Sequence, residues 1–191
     1  GGVEQCVFQQ ASCQGKRRSE ILSQALQSRC ELPSRGRLLD VGCGNGSFLQ
    51  VCSHTFPGWE LYGTEFDEKH KREVEAIPGV MGMYTGNLEE VVGAFDVISM
   101  VHVLEHIPNP LATLTCIRRL LSRKGVLFIQ VPDCSVNPVM MLVADHCSHF
   151  CGTSLENVVS RAGLSVDQMS NQWVAKELSL LARRSDTHDR I

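Results

Sequence analysis

Runs of apolar residues alternate with polar stretches in a rhythm that divides this chain into helices and short buried strands. From about Gly15 to Cys30, Ile21, Leu22, Ala25 and Leu26 recur at helical spacing, and Pro33 ends the run. Short apolar segments follow at Arg37–Val41, Trp59–Glu65, Gly82–Thr85, Phe95 onward, and Lys124–Pro132. Each is too short for a helix and bounded by turn residues, so each reads as a buried strand. Between them, Ser47-Phe-Leu-Gln-Val-Cys opens a helix, and a second runs from about Glu68 to Ala76 with Asp67 as its expected cap. Strands alternating with helices predict βαβ units and a parallel sheet. Pro132 to Gly152 reads as irregular, a helix from about Ser154 to Ala162 stops at Gly163, and two further strands span about Leu164–Asn171 and Glu177–Ala182.

The junction after the first strand carries the chemistry. Asp40-Val-Gly42-Cys43-Gly44-Asn-Gly46 places three glycines at alternate positions between a strand and a helix. Such a turn lies outside the carboxyl ends of an open α/β sheet, where ligands bind. A dinucleotide fingerprint would need its third glycine where Ser47 stands, and a P-loop would need a lysine that is absent. About twenty residues past the glycines, Glu65 ends the second strand, the spacing at which a carboxylate accepts from both ribose hydroxyls. A glycine-rich turn without a ligand, and an Asn87 that merely serves a turn, are the plain alternatives.

Asp40 with Gly-x-Gly-x-Gly resembles motif I of class I S-adenosylmethionine (SAM)-dependent methyltransferases. Phe95-Asp-Val through Val103-Leu-Glu105-His106-Ile-Pro108-Asn-Pro110 resembles the ubiquinone-biosynthesis O-methyltransferases and their relatives, as does His146-Cys-Ser-His149-Phe150 with Leu155 and Ala162-Gly163. The likeness runs from about Arg35 to Arg184, with its motifs in order. It implies a Rossmann-like α/β fold: a seven-stranded, mostly parallel sheet with an antiparallel last strand and helices on both faces. It also implies SAM as cofactor, held by Asp40, Gly42, Cys43, Gly44, Gly46, Glu65, Phe66, Asn87 and Leu88, with Arg17 of the first helix reaching the SAM carboxylate. Two positions depart from the pattern: Asn87 stands where an Asp is usual, and Arg123-Lys-Gly125 where Pro-Gly-Gly precedes the fifth strand.

Methyl transfer needs an in-line nucleophile, a dry site and, for a protonated acceptor, a base or metal. His102, Glu105 and His106 are spaced to share one face of a helical turn, and are the catalytic candidates. His106 is the first choice for general base and His102 the second. Glu105 serves either chemistry or as a loop anchor that accepts backbone amides. The same groups, joined by His146 or His149, could instead bind a divalent ion, as carboxylate and histidine ligands do in some relatives. No metal ligand is assigned, and His146, Cys147, His149 and Cys151 lack the matching pair a structural zinc would need.

Composition agrees with this picture. The chain has 191 residues, 43% apolar and 20% charged, as one globular domain should. Residues 1–34 are expected to form a helical part of the substrate cover, 35–184 the SAM-binding domain, and 185–191 a flexible tail. A net charge of −3, with no basic stripe, gives nucleic-acid binding no support. No apolar run is long enough to span a membrane, and the start lacks a signal-peptide pattern. Nine scattered cysteines read as free thiols in a reducing, cytoplasmic compartment. Met140, Met141, Leu142, Val143 and Phe150 make the stretch after the fifth strand apolar, and core packing is the expected job of most of them. Transfer to an oxygen of a small molecule is the favoured activity, ahead of nitrogen or carbon. A catalytically silent SAM-binding module for regulation or partner binding is the alternative, and a nucleotide-dependent oxidoreductase is disfavoured by Ser47.

Overall fold

Apolar side chains alternate between the two faces of one central sheet, and each face carries its own helices. The computed structural model describes residues 2–185, with side chains from Lys16 to Ser185; the tail expected beyond that lies outside the described residues. The strands are β1 (Arg37–Val41), β2 (Glu60–Glu65), β3 (Val80–Thr85), β4 (Phe95–Val101), β5 (Leu121–Pro132), β6 (Leu164–Ser170) and β7 (Glu177–Arg184). They form a seven-stranded sheet in the order β3-β2-β1-β4-β5-β7-β6. The first five are parallel, while β7 runs antiparallel to both β5 and β6. The antiparallel closing hairpin is as the resemblance implied.

Leu38, Val97, Val126 and Phe128 face α1 (Gly2–Arg29) and α2 (Ser47–Thr55), packing with Leu22, Leu26, Phe48, Leu49 and Cys52. Their neighbours Leu39, Ile98, Leu127 and Ile129 turn the other way, onto α4 (Pro110–Leu120) and α5 (Gly152–Arg161) through Leu114, Ile117, Leu155 and Val159. A strand buried on both faces must be apolar at nearly every position, and this accounts for the unbroken apolar runs. In α4, Asn109 accepts from the Ala112 amide at 3.1 Å and Pro110 fills the first turn, where its missing N–H costs nothing.

Local differences from the sequence reading have local causes. The first helix begins at Gly2 instead of about Gly15. The helix expected over Glu68–Ala76 shrinks to α3 (Lys71–Glu75), with His70 in the capping position. Asp67 instead accepts from the Lys69 amide at 2.9 Å, a local turn that competes with helix. The fifth strand starts at Leu121, where α4 ends, and its pairing with β4 slips once between Phe95 and Val97. The segment after β5 is irregular apart from a short 3-10 turn at Pro138–Leu142. Of its apolar residues only Phe150 is buried. Met141 and Leu142 are exposed, and Met140 and Val143 half-buried, so core packing is not the job of most of them. The topology fixes where to look for function: strand order reverses between β1 and β4, which opens a crevice at their carboxyl ends.

Candidate functional site

Asp40 sits near the end of β1, 3% exposed, directly beside Ser99 of β4. The Ser99 hydroxyl donates to Asp40 Oδ1 at 2.7 Å. Burial pushes the Asp40 carboxyl up to about 7; the Ser99 bond pulls it down, and the Glu65 charge adds to the rise. Beyond it the chain turns through Gly42, Gly44 and Gly46 at φ 67°, 53° and 80°. At Gly42 a Cβ would lie 2.5 Å from the Val103 side chain, so Gly is needed for space as well as for φ. At Gly44 a Cβ would meet nothing within 4 Å: the turn faces open space there.

The Gly44 amide donates to Glu65 Oε2 at 3.0 Å, which brings the end of β2 against the turn. Cys43 is buried and its thiol is pushed up to about 12, chiefly by desolvation, so it behaves as a small inert hydrophobe. Phe66 follows Glu65 with 88% of its surface exposed, a bare ring at the crevice rim. Asn87 caps the short 3-10 turn Leu88–Glu90 by accepting from the Glu89 amide at 3.0 Å; its side-chain oxygen is thereby engaged in the turn. Leu88 is half-buried beside it.

On the β4 side, His102, Glu105 and His106 do not share an α-helical face. His102 lies just past β4 with φ 55°, a left-handed backbone rare outside glycine, and Leu104–His106 form a 3-10 turn. The His102 amide donates to the Gln130 carbonyl at 2.9 Å, which pins the kink. Its two ring nitrogens meet different partners. Nδ1 is 3.3 Å from Glu105 Oε1; Nε2 is 2.9 Å from an Arg18 guanidinium nitrogen and 3.4 Å from Glu177 Oε2. Arg18 in turn pairs with Glu177 at 3.5 Å. The neighbouring Arg17, expected to reach the cofactor, is exposed and takes no part in this cluster.

Glu105 is 2% exposed, and neither carboxylate oxygen has a hydrogen-bond partner among the described residues. It does anchor the later loop, though with its main chain: the Glu105 carbonyl accepts from Cys147 and Ser148 at 2.8 and 3.0 Å. His106 points toward that loop. Its Nδ1 lies 3.1 Å from the Asp145 carbonyl, and its ring meets His146 edge-on at 4.9 Å. Donor atoms of Glu105, His106 and His146 lie within 4.8 Å of one another, a set that fits a divalent ion. His149 is exposed, and its ring lies tilted against His146 with centroids 5.9 Å apart.

Ser99, Arg18 and Glu177 were not expected from the sequence. A serine inside an apolar strand, opposite an acid on the next strand, was a readable signal for Ser99. Glu177 gave none, because the register that delivers it comes from β7 pairing antiparallel with β5, Pro132 opposite Glu177.

Comparison with known proteins agrees with this geometry. The profile of a family described as methyltransferase domain matches residues 14–169. Ubiquinone biosynthesis O-methyltransferase of Cereibacter sphaeroides is 32% identical over 104 residues, 50% of this chain and 41% of that protein. The enzyme of that name from Dechloromonas aromatica is 30% identical over 101 residues, 49% of this chain and 43% of its own length. The chain thus matches less than half the length of these relatives. Among solved structures, CalO1, a methyltransferase of calicheamicin biosynthesis in its SAH-bound form, superposes with TM-score 0.72 at 21% identity, over 96% of this chain and 58% of that one. Magnesium protoporphyrin IX methyltransferase from Synechocystis PCC 6803, with bound SAH, gives TM-score 0.69 at 19% identity, over 93% and 88%. With its strand order, its glycine turn and the matched span all in agreement, this chain belongs to the methyltransferase domain family and has the Rossmann-like fold of its class I members.

Proposed function

We propose that the chain is a SAM-dependent methyltransferase acting on an oxygen of a small-molecule acceptor. One observation carries the cofactor assignment: the turn after β1 leaves open space at Gly44 while the Glu65 carboxylate lies 3.0 Å from its amide. Gly42–Gly46 would hold the methionine end of SAM, with Asp40 as the counter-charge for its amino group, Glu65 would hold the ribose, and Phe66 and Leu88 would line the adenine site. The sequence relatives are ubiquinone biosynthesis O-methyltransferases, which supports oxygen as the acceptor atom.

SAM supplies an already activated methyl group, so the chain's own task is to align, exclude water and take up a proton. His102 is placed for the proton: it stands at the carboxyl end of β4 with Glu105 behind Nδ1, and Nε2 turned toward Arg18 and Glu177. In the neutral ring, Nδ1–H faces Glu105 and Nε2 is the acceptor, a pairing that orients the base. The Glu105–His106–His146 set supports a second route: a divalent ion held there would lower the pKa of an acceptor hydroxyl. Among the described residues no helix is long and apolar enough to cross a membrane, and the described cysteines are free thiols, which supports a reducing compartment.

Titration calorimetry with SAM and with NAD, followed by a methyl-acceptor screen, tests the reading. SAM binding with no NAD binding, and turnover of at least one hydroxyl acceptor, are expected; preference for NAD overturns it. Gly44→Ala sharpens the test. The left-handed backbone costs an alanine about 1–2 kcal/mol of stability. Its methyl group would fill the open space at the turn, so SAM affinity should fall at least about tenfold while the protein still folds.

A further inference from the structure

Two residues from opposite ends of the chain close over the nitrogen that the reading above assigns to proton uptake. We propose that Glu177, with Arg18, is a positioning residue for His102, forming a latch that covers Nε2 and fixes the ring between two carboxylates. The inference rests on the assignment of His102 as base and adds residues that no motif marks.

The geometry is a closed triangle. Arg18 reaches His102 Nε2 at 2.9 Å with one guanidinium nitrogen and Glu177 Oε1 at 3.5 Å with the other. Glu177 Oε2 faces the same His102 nitrogen at 3.4 Å and has no hydrogen-bond partner among the described residues. Its side chain is only 11% exposed, against 38% for Arg18. A buried carboxylate is costly unless charges compensate it, and here burial pushes the Glu177 carboxyl up while His102 and Arg18 pull it down. Glu177 is therefore the fixed member and Arg18 the movable one, since arginine on a helix surface has rotamers to spare. Glu105 Oε1 faces the opposite ring edge, 3.3 Å from Nδ1. The imidazole is thus flanked by a carboxylate at each edge, on a backbone already held in the left-handed region by the Gln130 bond. While Arg18 donates to Nε2 that nitrogen cannot accept a proton from an acceptor, so Arg18 must withdraw; the Nε2–H formed on proton uptake then donates to Glu177, which holds the charged ring in place.

The test uses the full chain and two variants, Glu177→Gln and Arg18→Met. Diethyl pyrocarbonate labels unprotonated imidazole nitrogens, and peptide mass spectrometry reads the rate at each histidine. A latch predicts that His102 is labelled several-fold faster in both variants, with the exposed His54 unchanged. Turnover adds a readout that a purely structural role would not move: Glu177→Gln should lower kcat on the order of tenfold, as loss of a charged contact does, with the KM for SAM within about twofold. Unchanged His102 labelling in either variant, or a wild-type kcat in Glu177→Gln, overturns the proposal. A wild-type protein that binds no SAM would sink the methyltransferase reading instead, and the labelling comparison would still decide whether the latch exists.

Discussion

His102→Gln is expected to lower kcat by about 10²-fold or more with the true acceptor, while SAM affinity stays within about threefold. Only His102 of the two candidate bases combines a place at the end of β4 with a carboxylate behind its ring. Glutamine approximates the volume and can still accept from Arg18, so the loss reads proton transfer more than packing. His106→Ala, measured beside it, should change kcat by less than about threefold, because its Nδ1 is engaged by Asp145 and its side chain is 38% exposed. The reverse order of effects would hand the role to His106, the first choice on sequence alone. A large loss in both, restored in the wild type by a divalent ion after chelation, would favour the Glu105–His106–His146 set.

The second large effect concerns stability against binding at Asp40. Burial holds its carboxyl at about 7, above the usual carboxylate value near 4. The folded protein thus keeps a proton that the unfolded chain has released. That contribution to stability is fully present below about pH 4 and is lost as pH rises through about 7. At pH 8 the ligand-free protein carries a buried charge at a cost of about 2–4 kcal/mol. Asp40→Asn retains an oxygen for the Ser99 hydroxyl and removes that charge. Urea unfolding should show the variant more stable than wild type at pH 8 by about 1–3 kcal/mol, with the advantage shrinking as pH falls below about 7 and vanishing only below about pH 4. SAM affinity should fall at least about tenfold, since the amino group of the cofactor loses its counter-charge. Parallel pH profiles for the two proteins would refute the assignment of that charge.

The strands and the glycine turn were legible because they obey local rules: apolar runs of limited length, a turn whose glycines need positive φ, an acid at a fixed distance. The first helix was legible too, from Ile21, Leu22, Ala25 and Leu26 at helical spacing. What failed was side-chain direction in irregular backbone. Counting i, i+3 and i+4 put His102, Glu105 and His106 on one face, yet a left-handed residue and a 3-10 turn send His102 toward β7 and His106 toward Asp145. Arg18, one position or about 100° of helix rotation from Arg17, is the arginine that reaches His102. Asp67 was claimed by its own backbone. Met141 and Leu142 were misjudged because composition says nothing about whether a loop folds inward.

The Arg18–Glu177 contact spans nearly the whole chain, and β7 enters the sheet between β5 and β6. A nascent or proteolysed fragment that ends ahead of β7 would keep every glycine of the first turn yet lack one jaw of the latch. In the proposed latch, the contact between Arg18 and Glu177 therefore carries the entropy cost of a long-range closure.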